Sequence, residues 1–301
     1  MQIATWNVNS IRTRLDHVQQ WLESHPEVTV LCVQETKVVD ADFPLTGFEA
    51  RGYHVYIYGQ KAYNGVALIS RVPLQDVQLG FSAVLNYPDN ETKLILRPPN
   101  SGHLDDQKRL QTALLPTDFG LVRLVNMYVP NGSAVDSDKY DYKLQWLEAL
   151  KIYLERLRDI DGTKSDSQPL TLLCGDFNIA ISDLDIHDPQ GRANHIMATV
   201  TERQALQEIL DLGFHDVFRK FTPDGGHFSW WDYRAGGFQR NRGWRIDYHF
   251  LSAPLYAKAT SCTIDKTPRS LTQPSDHVPV IVGFNGLDSG FTAFSSYSQT
   301  N

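Results

Sequence analysis

Five short polar clusters stand at the ends of apolar, strand-like runs: Trp6-Asn7-Val8-Asn9, Gln34-Glu35-Thr36, Gly175-Asp176-Phe177-Asn178, Arg245-Ile246-Asp247-Tyr248 and Ser275-Asp276-His277. Strands ordinarily end in turn formers such as Gly, Asn or Ser. These end in carboxylates, carboxamides and a histidine. Brought together, such groups bind a hard divalent cation and handle a phosphate. Side chains alternate along a strand, so Asn7 and Asn9 are expected to project together, as are Asp176 and Asn178. Glu35 is a hard oxygen ligand suited to magnesium, which takes one or two carboxylates and keeps several waters. Asp176 can take a proton from water or orient it. His277 can contact a phosphate oxygen, with Asp247 fixing its tautomer and charge. Asp247 also interrupts an apolar strand, where an unpaired carboxylate is costly. Phosphodiester hydrolysis needs a group that activates water, a positive charge against the phosphoryl oxygens and a stabilised leaving oxygen. Each residue alone has a plainer reading: Asn9 as a helix cap, Glu35 as a solvated strand end, Asp176 and Asn178 as an Asx turn, Tyr128 as a core aromatic. Their joint occurrence favours a site.

Strands and helices must carry these clusters to one place. Residues 2–8 read as a strand, and Asn9 or Ser10 can cap a following helix whose apolar face is Ile11, Leu15, Val18, Trp21 and Leu22. Val28 to Gln34 is continuously apolar, as expected of a strand buried on both faces. Residues 53–58 with 65–70, and 109–115 with 121–129, read as strand pairs. Residues 137–160 are the clearest helix, with Tyr140, Leu144, Leu147, Leu150, Leu154 and Leu157 on one face. A polar linker, Asp161 to Gln168, leads to a strand at 170–174, a helix near 199–212 and strands near 214–219, 244–252, 257–265 and 278–284. Hairpins outnumber βαβ crossovers, so a mixed-sheet α/β sandwich fits better than a doubly wound parallel sheet. No Gly-x-Gly-x-x-Gly or P-loop follows a strand. The Gly-, Ser- and Thr-rich segment 285–301 is expected to be a poorly ordered tail.

Composition bounds the function. A chain of 301 residues with 42% hydrophobic residues can build a large core. Its apolar runs are too short to span a bilayer, and its start lacks the pattern of an export signal, so a cytoplasmic protein without a membrane partner is expected. The three cysteines, Cys32, Cys174 and Cys262, lie in apolar runs without metal or redox spacing and are expected to be buried thiols. The formal net charge of −7 argues against a protein that coats nucleic acid. A nuclease is compatible with it, because acids concentrated at a cation site invert the local field.

The motifs together resemble the exonuclease III family of apurinic/apyrimidinic endonucleases, within the superfamily that includes DNase I. The resemblance runs from residue 1 to about 284 and rests on Thr5-Trp6-Asn7-Val8-Asn9-Ser10-Ile11-Arg12, Leu31-Cys32-Val33-Gln34-Glu35-Thr36-Lys37, Tyr128-Val129-Pro130-Asn131-Gly132, Gly175-Asp176-Phe177-Asn178, Asn241-Arg242-Gly243-Trp244-Arg245-Ile246-Asp247-Tyr248 and Ser275-Asp276-His277. It implies one catalytic domain over 1–284, folded as a four-layer α/β sandwich of two packed mixed sheets flanked by helices, with the site at one edge of the sheets. It implies Glu35 as principal metal ligand, with Asn7 and Asn9 lining the site and Asp276 as a further acid near the metal. Asp176 would activate water and Asn178 position that water or the phosphate. His277, oriented by Asp247, and Tyr128 would contact the scissile phosphate. The implied cofactor is Mg2+, with Mn2+ as a substitute.

The stretch from Phe228 to Arg245 bears on substrate. It holds Phe228, Trp230, Trp231, Tyr233, Phe238 and Trp244 together with Arg234, Arg240, Arg242 and Arg245. Arginines hold phosphates and aromatics fill the space left by a missing base. By resemblance, Trp230, Trp244 and Ile246 line a pocket for an extruded baseless sugar. A baseless nucleotide costs less to extrude because no stacked base is lost. Asn131, Arg109 and Lys143 are candidate substrate contacts. The expectation is incision 5′ to abasic sites in double-stranded DNA, leaving a 3′-hydroxyl, with 3′–5′ exonuclease and 3′-phosphodiesterase trimming of blocked ends, by a monomer. One departure stands out. Where some relatives carry a DNA-wedging arginine after the Tyr128-Val129-Pro130-Asn131 segment, this chain has Gly132-Ser133-Ala134. The alternatives are a superfamily phosphodiesterase acting on RNA or a phosphorylated small molecule, and a DNA-binding relative without catalysis.

Overall fold

A computed structural model describes residues 1–85, 95–97, 102–164 and 169–285. Twelve strands among them are β1 (Gln2–Asn7), β2 (Val28–Gln34), β3 (His54–Tyr58), β4 (Val66–Ser70), β5 (Gln75–Leu79), β6 (Leu110–Thr117), β7 (Gly120–Tyr128), β8 (Leu170–Asp176), β9 (Phe214–Asp216), β10 (Asp247–Ser252), β11 (Ala259–Ile264) and β12 (Val280–Phe284). They form two six-stranded sheets, ordered β11-β12-β1-β2-β4-β3 and β5-β6-β7-β8-β10-β9. Each sheet has one parallel pair at its centre, β1 with β2 and β7 with β8, and antiparallel pairs elsewhere.

The expected four-layer sandwich is what the packing builds. Strand alternation sends Val30 and Cys32 inward, and Leu31 and Val33 outward onto helix α1 (Leu15–Ser24) and helix α2 (Leu45–Glu49). In the other sheet Val122, Leu124 and Leu172 face inward. Val125, Met127 and Leu173 meet the outer helices, α4 (Asp138–Lys164) and α5 (Val200–Leu210), with the short α3 (Ser82–Leu85). Both faces of both sheets are therefore covered, so the central strands read as largely apolar runs. Gly175 has no substitute in β8: an added Cβ would lie 1.9 Å from the Met127 carbonyl oxygen on the neighbouring strand, and its φ is +138°.

Several boundaries differ from expectation for local reasons. Asn9 and Ser10 do not cap a helix. Both have positive φ, 45° and 92°, and the helix begins only at Leu15. The long helix runs on to Lys164, past the expected linker start, because the Asp161 carboxylate is paired with the buried Arg123 guanidinium. The strand expected over 214–219 stops at Asp216, whose side chain accepts from the Phe218 N–H and starts helix α6 (Val217–Phe221). The strand expected from 257 begins at Ala259, after helix α7 (Ala253–Lys258), which has proline in its first turn. The expected tail and the end of the expected linker (286–301 and 165–168) lie outside the described residues.

Candidate active site

Each strand reaching the site carries an inward-facing row that begins apolar and ends polar. The rows are Ile3, Thr5, Asn7 on β1; Val30, Cys32, Gln34 on β2; Val122, Leu124, Asn126, Tyr128 on β7; and Leu172, Cys174, Asp176 on β8. On β10, which runs antiparallel to β8, the row is Leu251, His249, Asp247. The apolar members fill the core between the sheets. Polar members of the rows bond across it: Gln34 Nε2 donates to Thr5 Oγ1 at 2.9 Å and to Asn126 Oδ1 at 2.7 Å, and Asn126 Nδ2 donates to the Val33 and Ala67 carbonyls. His249 Nε2 donates to the Val280 carbonyl at 2.9 Å. These bonds fix one sheet against the other directly behind the polar edge.

At that edge Asn7, Glu35, Asp176, Asp247 and His277 meet. Asn7 Nδ2 donates to Glu35 Oε1 and Asp176 Oδ2, each at 2.9 Å. His277 Nδ1 lies 2.9 Å from Asp247 Oδ2, and its Nε2 lies 3.7 Å from Asp176 Oδ2. Asp247 pairs with Asp176 in the ladder, and Ser229 Oγ donates to Asp247 Oδ2 at 2.6 Å while accepting the Ile246 and Asp247 N–H groups. The Nδ1 side of His277 therefore donates to a carboxylate, leaving Nε2 toward Asp176 and the open edge.

The electrostatics follow. Burial works against charge on His277, but the Asp247 and Asp176 carboxylates overcome it and lift its pKa to about 10. Burial raises Asp176 to about 7, opposed by His277 and helped by Asp247. Burial likewise works against Glu35, but the Lys37 ammonium, 2.8 Å from Oε2, holds the carboxyl below its usual value. Tyr128 is pushed well above the usual phenol range by burial and then by the Glu35 charge, so its hydroxyl stays a donor. Among the described residues, ligand atoms of Glu35, Asp176 and His277 lie within 4.8 Å of one another. The donor set fits a hard cation. Glu35 and Asp176 offer carboxylate oxygens, while a His277 held in its protonated form has no lone pair to give.

The other expected site residues sort themselves by contact. Asn9 does not continue the β1 alternation with Asn7. Its left-handed backbone turns the side chain so that Nδ2 donates to Asp276 Oδ1 at 2.9 Å and Oδ1 accepts from Lys37 Nζ at 2.6 Å. Asp276 also accepts from Trp230 Nε1 at 3.0 Å and does not join the Glu35, Asp176 and His277 group. Asn178 does not project beside Asp176 either. It lies at φ +50°, its N–H donates to Asp176 Oδ1, its Nδ2 donates to the Val129 carbonyl and its Oδ1 accepts from Asn131 Nδ2. Arg109 stacks 4.5 Å above the Tyr128 ring and donates to the Tyr128 carbonyl, so it holds Tyr128 from behind.

Two expected phosphate contacts are corrected. The Lys143 side chain is 0% exposed and bonds Glu202 and two main-chain carbonyls, so it is unavailable to a substrate. Arg245 is equally buried, held by Asp185 and Asp216. Arg234, Arg240 and Arg242 are exposed. Trp230, Trp244 and Ile246 do share one apolar cluster, with Ile186, Met197 and Ala198. Lys37 and Ser229 were not picked out from sequence as site residues. Lys37 stands two residues past Glu35, a signal that was available; Ser229 carries none.

A chain with this geometry has many relatives. The Endonuclease/Exonuclease/phosphatase family model matches residues 4–277. An exodeoxyribonuclease III of Haemophilus influenzae is 34% identical over 292 residues, 94% of this chain and all of that protein. A solved 3′–5′ exonuclease from Neisseria meningitidis superposes with a TM-score of 0.80 at 38% identity, covering 95% of this chain and 100% of that one. A solved AP endonuclease from Archaeoglobus fulgidus gives 0.80 at 36% identity over the same shares. The match extends over almost all of the polypeptide and includes every strand end that builds the site: this chain belongs to the endonuclease/exonuclease/phosphatase family.

Proposed function

We propose that this protein is a DNA repair nuclease, dependent on a divalent cation such as Mg2+, that incises double-stranded DNA 5′ to abasic sites and leaves a 3′-hydroxyl. Trimming of 3′ ends, by exonuclease and 3′-phosphodiesterase action, is part of the same reading, as is a single catalytic unit over 1–284. The observation that carries it is the buried row of Asn7, Asp176, Asp247 and His277 beside Glu35. Glu35 would hold the cation, which supplies Lewis-acid charge at the phosphate when bound. Asp176, its pKa lifted by burial to about 7, orients water and in its ionised form takes its proton. His277, kept protonated by Asp247, and the Tyr128 hydroxyl donate to the phosphoryl oxygens as charge builds there. Relatives named exodeoxyribonuclease III and AP endonuclease support the substrate class.

A specific observation favours 3′-end trimming as the stronger activity. Trp244 is 8% and Ile246 1% exposed, and the His195 ring packs 5.3 Å from Trp244. That packing leaves little of either side chain open to an extruded sugar. The absence of an arginine in Gly132-Ser133-Ala134 points the same way. The test is a labelled duplex with one internal abasic site, run beside a duplex with a 3′-phosphate end, each with magnesium and with EDTA. Scission of the first that EDTA abolishes supports the main reading. Activity confined to the blocked 3′ end would replace it with the second, and hydrolysis of RNA or a small phosphate ester alone would overturn both.

A further inference from the structure

The chain buries a lysine and a glutamate together at the back of the site. The Lys143 and Glu202 side chains are both 0% exposed, with Nζ 2.5 Å from Oε1. The same ammonium donates to the Asn178 carbonyl at 2.8 Å and to the Asn131 carbonyl at 3.3 Å. Glu202 is held in turn. Its carboxylate accepts from the Met197 and Thr199 N–H groups and the Thr199 hydroxyl, and the Thr199 hydroxyl caps the helix by accepting from the Glu202 N–H. All three donors of the ammonium are thereby used, so it does not act on a substrate.

What it holds matters. Asn178 sits in the left-handed region at φ +50°, a conformation that asparagine tolerates better than most residues and that local bonds must still hold in one setting. Its N–H makes the 2.9 Å bond to Asp176 Oδ1, and its side chain ties to Val129 and Asn131. A charge-assisted bond to the carbonyl of this one residue fixes the turn that aims the Asp176 carboxylate.

Building on the nuclease reading above, we propose that Lys143, anchored by Glu202, is a positioning residue for Asp176. It acts through the backbone of Asn178 and Asn131 and makes no phosphate contact. The ion pair couples helices α4 and α5 to the turn after β8, so the outer helical layer sets the aim of the water-activating carboxylate.

The test is the double variant Lys143→Met with Glu202→Gln, which removes the ammonium without stranding a buried carboxylate, assayed by single-strand nicking after its fold and Tm are verified. The expected result is kcat lowered about ten- to a hundredfold, as for a reacting group slightly misaimed, with KM within threefold. Lys143→Gln, which keeps a neutral amide with two donors, should fall between. A folded double variant, or a Lys143→Gln protein, with native kcat would overturn the inference. So would a raised KM with kcat intact, the signature of a substrate contact. A wild-type protein inactive on every phosphodiester would instead overturn the functional reading, so the two failures are distinguishable.

Discussion

His249 ties the two sheets together behind the site, and its protonation should be felt as lost stability in acid. Its ring is 1% exposed, Nε2 donates to the Val280 carbonyl at 2.9 Å, and Nδ1 is buried without a partner. A second proton would have to enter at that unpartnered nitrogen, and burial accordingly lowers the pKa from 6.5 to about 4. The unfolded chain takes the proton near 6.5 and the folded chain does not, so the stability associated with neutral His249 is complete above pH 6.5. It is lost as pH falls toward 4. With one pKa unit worth about 1.4 kcal/mol, the loss is about 2 kcal/mol by pH 5 and about 3 kcal/mol by pH 4. His249→Gln keeps a donor for the Val280 carbonyl and removes the titration. Urea unfolding of both proteins from pH 7.5 to pH 4 isolates the effect, because all other titrating groups are shared. Wild type should lose stability relative to the variant by the stated amount. A difference curve flat to within about 0.5 kcal/mol, larger than the scatter of such measurements, would refute the reasoning.

Three further outcomes are expected. Asp176→Asn should lower turnover by about 10² or more while DNA binding, measured by fluorescence anisotropy, stays within a few-fold. Glu35→Gln should raise the magnesium concentration for half-maximal activity at least about tenfold, since the principal carboxylate donor loses its charge; a magnesium titration of the nicking rate reads this directly. Arg245→Met should cost about 3–5 kcal/mol by denaturant unfolding, because it leaves the Asp185 and Asp216 carboxylates without their main partner in the interior.

The residue types and their order along the chain were enough to announce the chemistry. Carboxylates and a histidine at the ends of buried strands are costly unless they are gathered around opposite charge, so Glu35, Asp176, Asp247 and His277 could be singled out from sequence. The largely apolar runs at 28–33 and 170–174 likewise called for sheets covered on both faces, which is what a four-layer sandwich provides. Other features came only with tertiary structure. Lys143 and Arg245 read from sequence as cations for phosphate, because nothing local reveals that Glu202, 59 residues away, and Asp185, 60 residues away, would bury and pair them. Asn9 and Asn178 sit at the spacing of aligned strand residues, yet each adopts a left-handed turn because its strand has already ended. Period-two alternation determines which face a side chain takes only while the ladder continues. Beyond the last paired residue, the long-range bonds decide.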